Sequence, residues 1–395
     1  MTTRFGRDFR LLFASQAVSL LGDGMINVAL AFAVLEVGGE ASAVGLVFAL
    51  RTLAMVGSLL VGGVVADRAS RRAVMIGADV ARLGSQGAMA ALLIGGAAEV
   101  WSLAALAAVT GAASGFYVPA GTGLLPSLVD AEDLQRANGL RLGAMAGGEI
   151  LGPLVAGGLV VAAGAGWAIA IDAATFAVSA ALLARMRGGA ARGAVANPFL
   201  HDLRDGWRAV RARTWIWATI VSSSLANLVW GAWTALGPVI ADRELGGADA
   251  WGVVLAGMGV GGLAGAVLAI RTPPRRPLVV FAVSGTVFAT PLALLAAGAG
   301  VGLLAAAALV SGVAMRFGNA VWESALQRHV PSDSISRVSA YEWFGSTGLK
   351  PVGLALWGPV GVAIGFDAAL WLAFALLVVS SGLLLVSRDV RELDA

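Results

Sequence analysis

Apolar residues in this chain run for about twenty positions at a time, and short polar or basic stretches separate the runs. A helix of about 20 apolar residues is long enough to cross a hydrocarbon core of roughly 30 Å. Segments 41–66 and 279–310 contain almost no charge, so they lack the polar face that a helix of a soluble protein needs. The pattern predicts an all-α membrane protein with several spans.

We predict twelve transmembrane helices in two pseudo-symmetric bundles of six. Their predicted bounds are 9–36, 42–66, 73–96, 100–123, 139–162, 166–187, 215–240, 250–270, 278–298, 301–325, 338–362 and 366–387. Glycines at 164–166, 298–300 and 365 mark three of the boundaries. The predicted domains are an N-terminal bundle over 1–187, a linker over 188–214 and a C-terminal bundle over 215–395.

Basic residues are concentrated in alternate loops, beginning with the loop before the first helix. The opposite loops contain Arg243 as their basic residue, together with several acids. The positive-inside rule therefore predicts that both termini are cytoplasmic. In the linker, Leu203, Trp207 and Val210 recur at helical spacing, which fits either a basic amphipathic helix on the inner membrane surface or a solvated connection.

The composition supports this assignment and excludes other classes. Charged residues make up 13% of the chain, whereas soluble domains contain roughly 25%. The net charge of +3 comes from loop arginines, so it does not indicate nucleic-acid binding. There is no cysteine, and His201 and His329 are far apart in the sequence, so we expect no metal site and no cofactor.

The two halves share sequence features at a nearly constant offset. Gly38-Gly39 matches Gly246-Gly247, and the alignment of 134–137 with 335–338 places Gly152 on Gly353. Asp172-Ala-Ala also matches Asp367-Ala-Ala. Together these matches predict a duplicated six-helix unit, which is typical of secondary transporters.

The end of the second predicted helix resembles the signature loop of the major facilitator superfamily. It reads Gly63-Val-Val-Ala-Asp67-Arg68-Ala-Ser-Arg71-Arg72, with Ser70 in place of the usual second glycine. The resemblance implies a cytoplasmic gate in which Asp67 holds the two halves together. A positive-inside loop alone would explain the arginines but not Gly63 or Asp67.

The fifth predicted helix resembles the motif of drug–proton antiporters in this superfamily. Its residues are Gly139, Gly148, Gly152-Pro153 and Gly157, with Ala156 replacing one glycine. Gly148 and Gly152 share a helix face, so we expect close approach to another helix there, and Pro153 favours a kink. Glycine-rich membrane helices without this function remain the alternative.

Two further segments, 126–140 and 202–207, resemble the branch of macrolide and enterobactin exporters. The resemblance covers essentially the whole chain and implies export. The fourth helix lacks the arginine that other drug–proton antiporters have there, so the resemblance does not transfer proton coupling.

Ionisable residues within membrane spans are costly and usually face a cavity or a partner. The candidates are Asp23, Arg51, Asp79, Arg82, Glu149, Asp172, Arg316, Glu323, Glu342 and Lys350. Asp79 and Arg82, three apart, are expected to form a structural pair. Asp23 lies on a helix that lines the cavity in this superfamily, so we predict either proton exchange or a structural pairing with Arg316.

Glu149 is the second candidate for proton coupling, and Lys350, its counterpart in the repeat, could attract an anionic group. For both residues, structural latching is the alternative. The resemblance also places polar and aromatic residues on the cavity helices. The candidates for the substrate cavity are Asn27, Tyr117, Asn227, Trp230, Trp233, Arg316, Asn319, Trp322 and Lys350.

We therefore predict a secondary transporter that exports a small amphiphilic molecule by proton antiport and alternating access. The alternatives are a dedicated siderophore or metabolite exporter and an ion-coupled importer. No nucleotide-binding loop or catalytic constellation is present in the sequence, so we expect no enzyme activity. The expected partners are the lipid bilayer, the substrate and protons, and the expected form is a monomer in a bacterial cytoplasmic membrane.

Overall fold

The computed structural model describes residues 5–130, 133–187, 207–208, 210–272, 274–330 and 335–394. These residues contain helices and no strand. The helices are α1 (Arg7–Glu36), α2 (Ala41–Arg68), α3 (Arg71–Ile94), α4 (Val100–Leu124), α5 (Leu134–Ala163), α6 (Ala165–Ala184), α7 (Thr214–Ile240), α8 (Ala248–Arg271), α9 (Pro277–Phe288), α10 (Thr290–Ala296), α11 (Val301–His329), α12 (Ile335–Thr347), α13 (Lys350–Ile364), α14 (Phe366–Leu384) and α15 (Arg388–Glu392).

Eleven stretches of the described chain are long and apolar enough to cross a membrane, and α9 with α10 forms one of them. The remaining predicted span is α3, whose 24 residues have the required length. Its hydropathy is lower because it carries Asp79 and Arg82, which are 0% and 2% exposed. These charges face the protein interior rather than lipid, so α3 can still cross the membrane. The predicted all-α membrane protein is confirmed.

Three predicted helix boundaries coincide with glycines in the left-handed region of backbone space. The φ angles are +89° at Gly164, +69° at Gly298 and +89° at Gly365. Other residues adopt this region at a steric cost, so glycine allows the sharp reversal between neighbouring spans. The backbone conformation at these three boundaries therefore favours glycine, which explains why glycines marked them in the sequence.

The ninth predicted span is interrupted in a way that the hydropathy pattern did not predict. α9 ends at Phe288, and Pro291 stands in the first turn of α10. Proline has no backbone N–H, so the carbonyl groups before it lose a helical partner. The hydroxyl group of Thr290 donates to the Val287 carbonyl at 2.8 Å, and that of Ser311 donates to the Phe288 carbonyl at 3.0 Å.

The chain forms two compact units. One comprises the described residues of Met1–Ala194 together with Pro238–Ala256, and the other those of Val195–Gly237 and Gly257–Ala395. We call them the first and the second unit. Their bounds differ from the predicted domains at the end of α7 and the start of α8, which belong to the first unit. Most of the predicted linker lies outside the described residues.

Equivalent glycine contacts occur in both units. In the first unit, a Cβ atom on Gly24 of α1 would collide with the backbone of α5 at Gly148. A Cβ atom on Gly152 would collide with Gly24 in the same way. In the second unit, Gly231 of α7 and Gly353 of α13 are in the corresponding contact. Such close approach lets dispersion between backbones stabilise helix pairs in lipid.

A pair of buried serines repeats the same symmetry. The hydroxyl oxygens of Ser15 and Ser179 lie 2.7 Å apart between α1 and α6. Those of Ser222 and Ser380 lie 3.1 Å apart between α7 and α14. Because the same helix pairs are joined at the same depth from their ends, the structure supports the predicted duplication.

One of the three sequence matches behind that prediction was out of register. Asp172 lies in the middle of α6, whereas Asp367 is in the first turn of α14 and is exposed. The register set by Ser179 and Ser380 places Ala373 at the position of Asp172. The similarity of the two Asp-Ala-Ala segments is therefore not structural, and Asp172 has no acidic counterpart in the second unit.

Candidate functional site

The second unit encloses a cavity of about 340 Å³ between α7, α9, α11, α13 and α14. Its polar lining residues are Ser222, Ser223, Asn227, Ser284, Asn319, Lys350 and Ser381. Its larger apolar lining residues are Trp230, Phe281, Phe288, Met315 and Leu377. A pocket that joins aromatic surface with a few polar groups can bury the apolar part of a ligand and orient its polar part.

The aromatic wall of this cavity is held in place by stacking. The rings of Trp230 and Phe288 are 5.3 Å apart and 19° from parallel. The ring centroid of Trp233, one turn further along α7, lies 6.3 Å from that of Trp230. Because Phe288 is the last residue of α9, the proline-induced break described above ends that helix at the cavity wall.

Small residues of α9 and α14 keep the other side of the cavity open. Gly285 faces the Ser381 hydroxyl group so closely that a Cβ atom there would collide with it. Asn227 donates from its side-chain amide to the Ser223 carbonyl oxygen within α7 at 3.1 Å, which leaves the amide oxygen of Asn227 for other contacts. This side can therefore provide both donors and acceptors.

Four of the residues predicted for the cavity line it: Asn227, Trp230, Asn319 and Lys350. Trp233 lines a small neighbouring pocket with Trp230 and Phe288. Sequence reasoning missed the serines and the two phenylalanines, because single serines in apolar helices carry no pattern that separates them from helix-packing residues.

The other predicted cavity residues lie elsewhere. Trp322 is 4% exposed and packs in the core of the second unit with Trp215, and its indole N–H donates to Glu342 at 3.3 Å. Tyr117 is 8% exposed in the interior of the first unit. Neither residue lines the cavity of the second unit, because hydropathy shows that an aromatic residue is inside a helix bundle but not what it faces. Asn27 is exposed, and Arg316 packs beside Gly262 of α8.

The first unit contains a buried network of charged and hydroxyl groups. A guanidinium nitrogen of Arg82 lies 3.8 Å from a carboxylate oxygen of Asp79, as the spacing of the pair predicted. The other Asp79 oxygen accepts a hydrogen bond from Ser179 at 2.6 Å. Since Ser179 uses its proton there, Ser15 is the donor in the 2.7 Å contact between the two hydroxyl groups.

Aromatic rings and a second carboxylate complete this network. The Arg82 guanidinium carbon is 4.5 Å from the centroid of Tyr117 and 5.1 Å from that of Phe176. Such contacts with ring faces offset part of the cost of burying a cation. Gln86, one turn after Arg82, donates to an Asp172 oxygen at 3.0 Å.

The predicted coupling residues lie at the edges of this region. Asp23 is half-buried on α1 and interacts electrostatically with Arg51 and Asp172. Glu149 is half-buried on α5, next to Gly148, which packs against α1. The structure therefore gathers Asp23 with buried charges of the first unit, and Lys350 with the cavity of the second.

The described part of the signature loop joins helix ends within the first unit. Arg71 donates to the Gly123 carbonyl at the end of α4 at 2.6 Å. Arg72 donates to the Leu183 carbonyl at 2.8 Å, at the end of α6. Cations are favourable at helix C-termini, where carbonyl groups lack partners. Gly63, Asp67 and Arg68 lie outside the residues whose side chains are described.

The predicted antiporter motif occupies the interface of α5 with two other helices. Gly148 and Gly152 face α1, and Gly157 faces Ala248 and Asp249 at the start of α8. The Pro153 carbonyl contacts Gly252 of α8. Gly139 faces open space, since no atom lies within 4 Å of a Cβ built on it.

A sequence profile described as the Major Facilitator Superfamily matches residues 12–341. The chain belongs to this superfamily. It is a multi-pass membrane transporter and not an enzyme, as predicted.

Relatives and a solved structure of this superfamily span nearly the whole chain. The chain is 23% identical to Macrolide efflux protein A of Streptococcus pyogenes, over 98% of its length and 97% of the relative. It is 27% identical to the Multidrug efflux pump Tap of Mycobacterium tuberculosis, over 98% of its length and 95% of the relative. The crystal structure of the nucleoside transporter NupG aligns with a TM-score of 0.76 at 13% identity, over 96% of this chain and 98% of that one. The last comparison establishes the fold, with its two six-helix bundles.

Proposed function

We propose that this transporter exports a small amphiphilic molecule across a bacterial cytoplasmic membrane in exchange for protons, by alternating access. The observation that carries the proposal is the cavity of the second unit, in which stacked aromatic residues face serines, two asparagines and Lys350. This combination suits a ligand with an extended apolar surface and a few polar groups. The efflux activities named for the two relatives support export.

One aromatic residue of the cavity is expected to contribute to substrate affinity. Trp230 supplies the largest aromatic surface and is stacked on Phe288. Replacing it with alanine removes a stacking partner worth about 0.5–1.5 kcal/mol beyond its buried area, so we expect a roughly tenfold weaker apparent affinity. Trp217, which lies on the same helix and is 45% exposed, provides the matched control.

Proton coupling is proposed to involve Asp23 and Glu149. Each is a half-buried carboxyl group on a helix of the first unit, α1 or α5, and these helices are in close glycine-mediated contact. A change in the charge of either group therefore acts on a helix pair whose separation is tightly defined. Lys350 is proposed to attract an acidic group of the substrate or to hold a carboxylate.

The test uses inside-out vesicles with an acidified interior and a fluorescent pH indicator. The probes are erythromycin, ethidium, tetraphenylphosphonium and enterobactin. In the wild type we expect at least one probe to dissipate the proton gradient. Asp23→Asn or Glu149→Gln should abolish the response, and Trp230→Ala, but not Trp217→Ala, should raise the half-saturating probe concentration.

Other results would revise specific parts of the proposal. A response to enterobactin alone would indicate a dedicated siderophore exporter. Accumulation of a probe in intact cells without sensitivity to an uncoupler would indicate an importer. Probe transport without any movement of protons would overturn antiport and leave the transporter fold unaffected.

A further inference from the structure

Asp172, near the middle of α6, is a fully buried carboxyl group that the predicted gate, antiporter motif and cavity do not include. Its exposed fraction is 0%. One oxygen accepts the hydrogen bond from Gln86, and the other is buried without a hydrogen-bond partner among the described residues. No ion pair of Asp172 is present in the described part of the chain either. A charged carboxylate in such a place is costly unless it is neutralised.

The charges around Asp172 do not cancel. Asp172 interacts electrostatically with Asp23, Arg51 and Arg82, and Asp79 interacts with Arg82 and Asp23. The set has three carboxyl groups and two guanidinium groups, of which Asp79, Arg82 and Asp172 are buried, while Asp23 and Arg51 are half-buried. Fully ionised, the set has one net negative charge, and binding a single proton makes it neutral. A low-dielectric interior favours the neutral set.

The remaining charged groups near α6 lie at its ends or on α5. Glu36 accepts from the backbone N–H of Ala165 at the first residue of α6, and Arg72 donates to the Leu183 carbonyl at its last turn. Asp8 accepts from the backbone N–H of Arg187 beyond the helix end. α5 carries the half-buried Glu149, the residue after Gly148, and Gly148 packs against α1. Glu36, Arg72 and Asp8 are therefore bound at helix ends.

Asp172 is also in direct contact with the helix that carries Asp23. The Asp172 oxygen without a partner lies so close to Gly22 of α1 that a Cβ atom at that position would collide with it. The same Cβ atom on Gly22 would also collide with the hydroxyl oxygen of Thr175. A change in the charge of Asp172 therefore acts on α1 at the residue next to Asp23.

We propose that Asp172 binds the proton that is exchanged in the transport cycle, and that Asp23 passes this proton between Asp172 and the transport path. The two carboxyl groups are not hydrogen-bonded to each other, so the transfer passes through a water molecule or follows a movement of α1 that brings them together. In this step the Asp23 carboxylic acid loses its proton and the Asp172 carboxylate gains it, so Asp23 becomes the anion and Asp172 the neutral acid. Arg51 and Arg82 remain protonated and keep the total charge of the set at zero. Loss of the proton restores one negative charge against α1 and favours a different position of that helix. The proposal rests on the proton antiport proposed above.

The experiment compares the wild type with Asp172→Asn and with Asp367→Asn in the vesicle assay, using the probe that gives the largest wild-type response. Asn at 172 can still accept the hydrogen bond from Gln86, so the packing is preserved while the titratable group is lost. Asp367 has the same following residues, Ala-Ala, but is exposed at the start of α14, so it is the matched control. Exchange of labelled for unlabelled probe without a proton gradient reports on folding and binding.

We expect Asp172→Asn to lose the probe-driven proton movement and to retain the exchange of labelled probe, and Asp367→Asn to behave as the wild type. Undiminished proton movement in Asp172→Asn would overturn this inference while leaving proton antiport in place. A wild type that moves no protons with any probe would instead overturn the proposed antiport, and this inference with it.

A second measurement covers the case in which Asp172→Asn does not fold. The infrared difference spectrum of the solubilised wild type between acidic and alkaline pH should contain the C=O band of a protonated buried carboxyl group. Gln86→Met removes the hydrogen bond to Asp172 and preserves the side-chain volume, so it should shift this band. A band that is unchanged in Gln86→Met would mean that the titrating group is not Asp172.

Discussion

The two units share the same contacts between helices but differ in the side chains that occupy their interiors. In the first unit, the third span places Asp79 and Arg82 against Ser179 and the Tyr117 ring. In the second unit, the third span places small or aromatic residues beside a cavity of about 340 Å³. The first unit also has a pocket of about 380 Å³ between α2, α3 and α4, but its lining is apolar. A duplicated scaffold can therefore keep its framework while one copy buries a network of charges and the other lines a cavity with both aromatic and polar side chains.

The contrast shows which features belong to the framework. The glycine contacts and the serine pairs occur in both units, so they define how the helices pack. The charges of α3 and α6 occur in the first unit, and the cavity with Lys350 in the second. Features that appear once in a duplicated fold are the best candidates for function. Changes at matched positions can test this division.

The largest effect is expected from breaking the charge balance of the first unit. Arg82→Met leaves Asp79 buried without its partner cation, and breaking a buried pair in this way costs about 3–5 kcal/mol. The free energy of unfolding in mixed micelles, measured by denaturant titration, should fall accordingly. The double change Asp79→Asn with Arg82→Met should recover a large part of the lost free energy of unfolding, because no buried charge is then left without its partner.

Arg185→Met is the control for this experiment. Arg185 is exposed just beyond α6, so its replacement should change the free energy of unfolding by less than about 0.5 kcal/mol. If Arg82→Met were as mild as this control, the network would not be a stabilising feature of the first unit, and the comparison between the units would lose its basis.

An intermediate effect is expected from the shared glycine contacts. Gly152→Val and Gly353→Val each introduce a side chain where a helix backbone already lies, and overpacking of this kind costs about 1–3 kcal/mol. Both should lower the midpoint temperature for loss of the monodisperse peak in size-exclusion chromatography. Gly158→Val is the control, since no atom lies within 4 Å of a Cβ built there. A loss in one unit only would contradict the equivalence of the two contacts.

The smallest effect is expected at the serine pair. Ser15→Ala removes the donor to Ser179, which itself supports Asp79, whereas Ser222→Ala removes a hydrogen bond at the cavity wall. Hydrogen bonds between membrane helices average about 0.6 kcal/mol, so we expect a loss of that size for Ser15→Ala. Ser222→Ala should cost less stability and should instead change probe affinity. Denaturant titration measures the stability of each variant, and probe binding measures its affinity. A larger stability loss in Ser222→Ala, or a larger affinity change in Ser15→Ala, would show that the units do not differ as proposed.

Much of the fold could be predicted because lipid imposes a simple rule on sequence. A span needs about 20 apolar residues, so the positions of the helices follow from hydropathy. Glycines with positive φ at 164, 298 and 365 marked the turns. Hydropathy could not show the break after Phe288, because a single proline acts on two carbonyl groups and leaves the apolar run intact.

The candidate sites were predictable to a lesser extent. The residue types on cavity helices identified Asn227, Trp230, Asn319 and Lys350, but they identified Tyr117 and Trp322 equally. All six lie on helices with little amphipathicity, so periodicity did not reveal which face meets the cavity. That choice depends on the neighbouring helices.

The sequence by itself determined the membrane class, the helix order, the duplication and the family. These properties depend on local composition and on motifs, which do not require knowledge of contacts between distant residues. Only the tertiary structure decided that Asp172 and Asp367 are not equivalent, that Arg82 lies between Asp79 and two aromatic rings, and that the second unit encloses the cavity. The physical reason is that the stability of a buried charge depends on partners brought together by packing, and these partners come from different helices.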